Sequence, residues 1–184
     1  MELLSSVALG FQEFMNLAPP LVLALIYLAI VALPLTFLHE WGHAVAARRL
    51  LGGTVHISVG NAGRVAEIRL GQITTSINAL SSPTGLGGYA TFDTSRASAR
   101  DVVLIALCGP LASLLGLLIF IPLYSAANPG TIGHGLLWAA VSWSAFGVLI
   151  NLIPLNIQER RGSRMMRTDG GLALDAAKVI WQLR

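Results

Sequence analysis

His39-Glu40-Trp41-Gly42-His43 is the stretch of this chain whose residue types and spacing can do chemistry. On a helix, residues four apart share a face, so both imidazoles can reach one metal ion. Glu40 lies beside them, close enough to take a proton from a water at that ion. Neutral imidazole is a good zinc ligand, and a catalytic zinc commonly has three protein ligands and an open position. A third ligand is therefore required. Cys108 is the only cysteine, so neither a cysteine cluster nor an internal disulfide is available. Asp169, in Thr168-Asp169-Gly170-Gly171, is the best choice, because Asn151 and Pro154 break the preceding apolar stretch and let the chain turn back. Asp175 is the fallback, on a stretch that reads as a surface helix. Asp93 and Asp101 come next, read as a turn residue and a helix cap.

The elements that must position these groups read as membrane helices. Of the 184 residues, 54% are hydrophobic and 11% charged, against about 25% charged in soluble domains. Three stretches are long and apolar enough to span a bilayer, which takes about 20 helical residues. They run from about 21 to 47, 102 to 126 and 135 to 155. The net charge of +3 does not indicate nucleic acid. All twelve Lys and Arg fall between Arg48 and Arg100 or between Arg160 and Arg184. That pattern places the long polar segment and the C-terminus in the cytoplasm, and hence the N-terminus outside. An ionisable residue inside a span costs about 2.5–3.5 kcal/mol on insertion scales and usually lines a cavity. Three such groups within five residues argue for a site. Pro34, in the same span, is equally a kink that opens a wet cavity or a tolerated membrane proline.

Around these spans, Leu4, Val7, Phe11 and Phe14 recur at helical spacing and predict an interfacial amphipathic helix. A second amphipathic helix is expected over about 170–184. Between the first two spans the period changes: Val55, Ile57 and Val59 alternate with polar residues, and Val65 to Leu70 and Ile73 to Ile77 are β-rich. These predict a small antiparallel meander over about 54–92, ending in Gly87-Gly88-Tyr89-Ala90-Thr91-Phe92. The expected fold is thus mainly α and integral to the membrane. It is one domain over 1–184, with a three-helix core, a cytoplasmic β-meander and a peripheral amphipathic helix at each end. His56, His134, Trp138, Trp143 and Trp181 read as surface, interface or packing residues.

His39-Glu40-Trp41-Gly42-His43, together with Asn151-Leu152-Ile153-Pro154 and Asp169-Gly170, resembles the site-2 protease family of intramembrane metalloproteases. Gly109-Pro110-Leu111-Ala112 is similar to the family's second core span, and Gly87-Gly88-Tyr89 to its membrane-associated β-hairpin. The likeness covers about residues 30–175. It implies zinc on His39, His43 and Asp169, Glu40 as general base, and substrates that are transmembrane segments of membrane-anchored proteins. By the same resemblance, Asn151 hydrogen-bonds the substrate backbone, although an Asn capping a broken helix fits the residue equally well. Gly88 and Tyr89 begin an edge against which an unwound substrate can pair as an added strand. One departure stands out. The family usually places the Asp five residues after the Pro, whereas here Asp169 comes fifteen residues after Pro154, with Glu159, Arg160, Arg161, Arg164 and Arg167 between.

The expected activity is zinc-dependent intramembrane proteolysis, in a prokaryotic plasma membrane. Two rivals share the same residues. A catalytically silent relative would retain or escort membrane partners without cutting them, and Glu40 argues against it. A metal carrier would need more spans and repeated halves.

Overall fold

The computed structural model describes residues 2–60, 62–79, 87–158 and 165–182. Helix α1 runs unbroken from Glu2 to Leu51. At 1.5 Å per residue these 50 residues reach about 75 Å, against about 30 Å of bilayer hydrocarbon. The expected peripheral N-terminal helix is therefore not a separate element, since no helix break lies between it and the span that follows. The side chains of Leu4, Val7, Phe11 and Phe14 lie outside the described set. Pro34 is exposed on α1, and the helix continues through it.

After α1 come strands β1 (Val55–Val59), β2 (Arg64–Leu70), β3 (Ile73–Asn78) and β4 (Gly88–Phe92). The strands fall where alternation predicted them, but the sheet is not a meander. Its order is β2-β3-β1-β4, with β1 parallel to β3 and antiparallel to β4. Alternation specifies which face a side chain takes, not which strand lies next to which. The order is set by the crossing after β1, where the chain passes the end of β3 before entering β2. Gly60 makes that crossing at φ +88°, and a side chain there would strike the Asn78 carbonyl. Asn78 Nδ2 ties the crossing down by donating to Ser58 Oγ at 2.8 Å. As a result β1 is flanked on both sides, and Val55, Ile57 and Val59 become the core, packed on Ala44 and Ala47 of α1 and Ile105.

Helices α2 (Ala99–Ala126) and α3 (Ile132–Leu152) follow. Ser98 and Asp101 form a capping box at the start of α2, and Asp93 accepts from the Ser95 amide in a turn. Both aspartates therefore have the local roles expected of them. Among the described residues, α2 and α3 are the two helices long and apolar enough to cross a membrane. Their packing is inverted relative to a soluble core. Apart from Ile105 and Pro110, they bury small residues (Ala106, Gly109, Ser113, Gly116, Ala139, Ala140 and Ser144), while Leu115, Leu118 and Leu149 stay 60–67% exposed. Small residues inside and large aliphatics outside suit helices whose solvent is lipid, where close backbone approach replaces the hydrophobic drive.

Past Ile153 and Pro154, strands β5 (Asn156–Gln158) and β6 (Met165–Arg167) pair antiparallel, and helix α4 (Asp169–Gln182) packs on α2. These two strands differ from the sequence expectation, which reads the basic stretch after Pro154 as a loop. Glu159, Arg160, Arg161 and Arg164 lie outside the described residues.

Candidate metal centre

Two turns of α1 carry the histidines. His39, Glu40 and His43 are each 7% exposed, so all three polar groups are inside the molecule. α2 crosses α1 at Gly42, where a side chain would collide with the Cys108 backbone. This glycine within the His39-to-His43 motif is what admits α2 to the histidines.

α2 then meets them at three successive turns. The Ile105 carbonyl lies 2.7 Å from His43 Nδ1 and can only accept, so Nδ1 carries the proton and Nε2 keeps its lone pair. The Ser113 hydroxyl lies 2.9 Å from His39 Nδ1. Between them, Gly109 has no side chain. An ideal Cβ there would touch His43 Nε2 and lie 2.7 Å from His39 Nε2. Glycine thus leaves open the space in front of both ring nitrogens.

Asp169 reaches this space from the other side. His39 Nε2 lies 3.0 Å from Asp169 Oδ2, His43 Nε2 lies 3.3 Å from Oδ1, and the two Nε2 atoms are 3.3 Å apart. Thr168 sets the approach. Its hydroxyl donates to the Ile153 carbonyl at 2.6 Å and accepts from the Leu155 amide at 3.0 Å. Its own amide bonds the Leu155 carbonyl at 3.2 Å. Residues 155 and 168 are thereby clamped together. The fifteen-residue spacing is absorbed there. Gly170 completes the approach, because a side chain at that position would strike the Leu152 carbonyl at the end of α3.

The donor set fits a tetrahedral metal. Ligand atoms about 2.0–2.1 Å from zinc sit about 3.3 Å apart; the two Nε2 atoms are 3.3 Å apart, and each lies 3.0–3.3 Å from one Asp169 oxygen. Among the described residues, His39, His43 and Asp169 are the group of His, Cys, Asp or Glu side chains whose donor atoms lie within 4.8 Å of one another. Asp175 is not in it; that carboxylate pairs with Lys178 at 3.5 Å.

The profile of Peptidase family M50 matches residues 27–130, more than half of the chain. The chain belongs to peptidase family M50, the site-2 protease family. No curated protein matches it. The matched segment of this M50 chain contains His39, Glu40, His43 and Gly109 but ends before Asp169, whose place beside the histidines is a matter of geometry alone.

A cavity of about 960 Å3 opens in front of the centre. Its walls come from all three long helices, β4 and α4, and are mostly apolar, including Leu38, Ile105, Trp143, Phe146 and Leu172. Gly88 at the head of β4 presses on Glu40: a Cβ there would come 2.9 Å from Glu40 Cγ. Gly88, Tyr89 and Asn151 all line this cavity, and Asn151 Nδ2 donates to the Gly147 carbonyl of its own helix at 2.9 Å. Trp143, read from the sequence as a packing aromatic, donates to Thr36 Oγ1 at 3.2 Å across the cavity wall. His134 stacks on Tyr124, and His56 bonds Ser76, so neither joins the centre.

Sequence reasoning missed Ser113, Thr168 and the Ile105 carbonyl. The 109-to-113 spacing on an apolar helix was a usable signal for Ser113, since it puts the hydroxyl on the glycine's face. A backbone carbonyl leaves no trace in the residue types.

Proposed function

We propose that the chain is a zinc-dependent intramembrane endopeptidase that cuts transmembrane segments of membrane-anchored proteins. The observation that carries this reading is the cluster of His39, His43 and Asp169, in which the two Nε2 atoms lie 3.3 Å apart and each lies 3.0–3.3 Å from one oxygen of the Asp169 carboxylate, beside a buried Glu40. Membership of a metalloprotease family supports it.

In this reading His39 Nε2, His43 Nε2 and the Asp169 carboxylate hold zinc. Zinc so held supplies a Lewis acid that makes water acidic and polarises a peptide carbonyl. Glu40 accepts the proton from the attacking water and hands it to the departing amine nitrogen. Burial keeps competing water away from Glu40, and Gly88 lets the β4 edge lie against it.

A helical substrate hides its peptide bonds and must be unwound to be cut. β4 offers the template. Among the described residues it pairs with β1 alone, and Gly60 N–H donates to the Gly87 carbonyl. In an antiparallel ladder hydrogen-bonded residues alternate, so Tyr89 and Thr91 face β1 with their backbone groups. Gly88, Ala90 and Phe92 then turn theirs outward, where an added strand can pair. Asn151 and the side chain of Tyr89 flank that strand. The Ala90→Pro variant removes one outward N–H and leaves the β1 ladder intact, which edge strands tolerate. It should lower kcat/KM about five- to tenfold, the loss of one hydrogen bond of about 1 kcal/mol, with zinc content unchanged. Unaltered kcat/KM in steady-state cleavage of a model substrate would show that the strand does not pair there.

The C-terminal half of α1 serves as the third span, with the N-terminus outside and the basic segments on the cytoplasmic face of a prokaryotic plasma membrane. The distribution of Lys and Arg supports this orientation. The direct test of the activity is cleavage of a single-span model substrate co-reconstituted in lipid vesicles. Treatment with a strong chelator should abolish product and added zinc should restore it. Cleavage that survives full removal of metal would end the metalloprotease reading.

A further inference from the structure

We infer that Ser113 sets the orientation and tautomer of His39, and so acts as a positioning residue for the metal centre. The inference rests on the reading of His39 as a zinc ligand.

The two histidines are held in different ways. His43 Nδ1 faces a backbone carbonyl, an acceptor and nothing else, so its proton is fixed on Nδ1. His39 Nδ1 faces a hydroxyl at 2.9 Å, and a hydroxyl can donate or accept. By accepting from Nδ1–H, Ser113 leaves the His39 Nε2 lone pair aimed at His43 Nε2 and the Asp169 carboxylate. Partners of this kind fix ring orientation and raise ligand basicity.

Ser113 is not placed there by default. It is 7% exposed, on the buried face of α2 that otherwise carries Ile105, Ala106, Gly109, Pro110 and Gly116, none of which has a side-chain hydroxyl. Apolar residues of similar size are frequent in this chain, and one of them would pack equally well. Room for the hydroxyl comes from Gly147 on α3, where a Cβ would lie 2.8 Å from Ser113 Oγ. Three helices thus meet at one hydroxyl: α1 through His39, α2 through Ser113, α3 through Gly147.

Cobalt(II) titration of chelator-stripped protein tests this, because affinity and visible ligand-field bands report the coordination sphere independently of turnover. Ser113→Ala should bind cobalt about 10–100-fold more weakly, as loss of such a partner generally does, and with altered bands. Gly147→Ala keeps the hydroxyl but crowds it away from His39, and should shift affinity and bands in the same direction. It also carries the test if Ser113→Ala does not fold. Wild-type affinity and an unchanged spectrum in the folded variants would overturn the role of Ser113. A parent chain that binds no cobalt would instead overturn the metal reading itself, leaving the two failures distinct.

Discussion

Glu40→Gln is expected to reduce cleavage about 100- to 10,000-fold while zinc content stays at the parental level. The size follows from losing a general base and acid at the reacting atoms. Glutamine matches the carboxylate in shape but cannot take a proton from water. Zinc should stay, because Glu40 is outside the donor group formed by His39, His43 and Asp169. Rates measured with equal zinc loading in both proteins decide the matter. Persistent cleavage would move the base to another group. A parent chain equally inert with Glu40 intact would favour the silent, partner-binding relative.

Gly109→Ala should cost the chain its metal outright. The new methyl would occupy the space between His43 Nε2 and His39 Nε2. α2 cannot back away at little cost, since Gly42 already sets the Cys108 backbone against α1 and Ser113 bonds His39 one turn on. Zinc should fall below about a tenth of an equivalent, because blocking the ligand atoms themselves should cost at least the roughly 10–100-fold in affinity that loss of an outer partner costs. Cleavage should vanish with it, and helix content by circular dichroism should hold. Full zinc occupancy in this variant would mean that α2 stands too far from the histidines for Gly109 to matter.

Helical spacing announced the histidine pair and Glu40, because four residues make about one turn whatever the surroundings. Polarity inside an apolar stretch marked the place as costly and therefore purposeful. The strands were equally legible in Val55, Ile57 and Val59. Their order was not, because it depends on the Gly60 crossing and the Asn78 contacts, which join residues distant in sequence. Asp169 stands out in the sequence as the best available carboxylate, and the breaks at Asn151 and Pro154 allow the chain to return, but the contact that closes the fifteen-residue spacing is not legible there. The clamp from Thr168 to Leu155 and Ile153 does so. Strands of three residues are too short to show a period, so β5 and β6 read as a loop. The join between the amphipathic helix and the span was also invisible, since helical periodicity does not say where one helix stops.

Metal analysis of the purified chain in detergent bears most directly on the central claim, that His39, His43 and Asp169 together grip one ion. The parent protein should hold one zinc per chain, and His39→Ala, His43→Ala and Asp169→Ala should each retain less than about a tenth of it. Full zinc occupancy in either histidine variant would contradict the account, and full occupancy in Asp169→Ala would pass the third ligand to another residue.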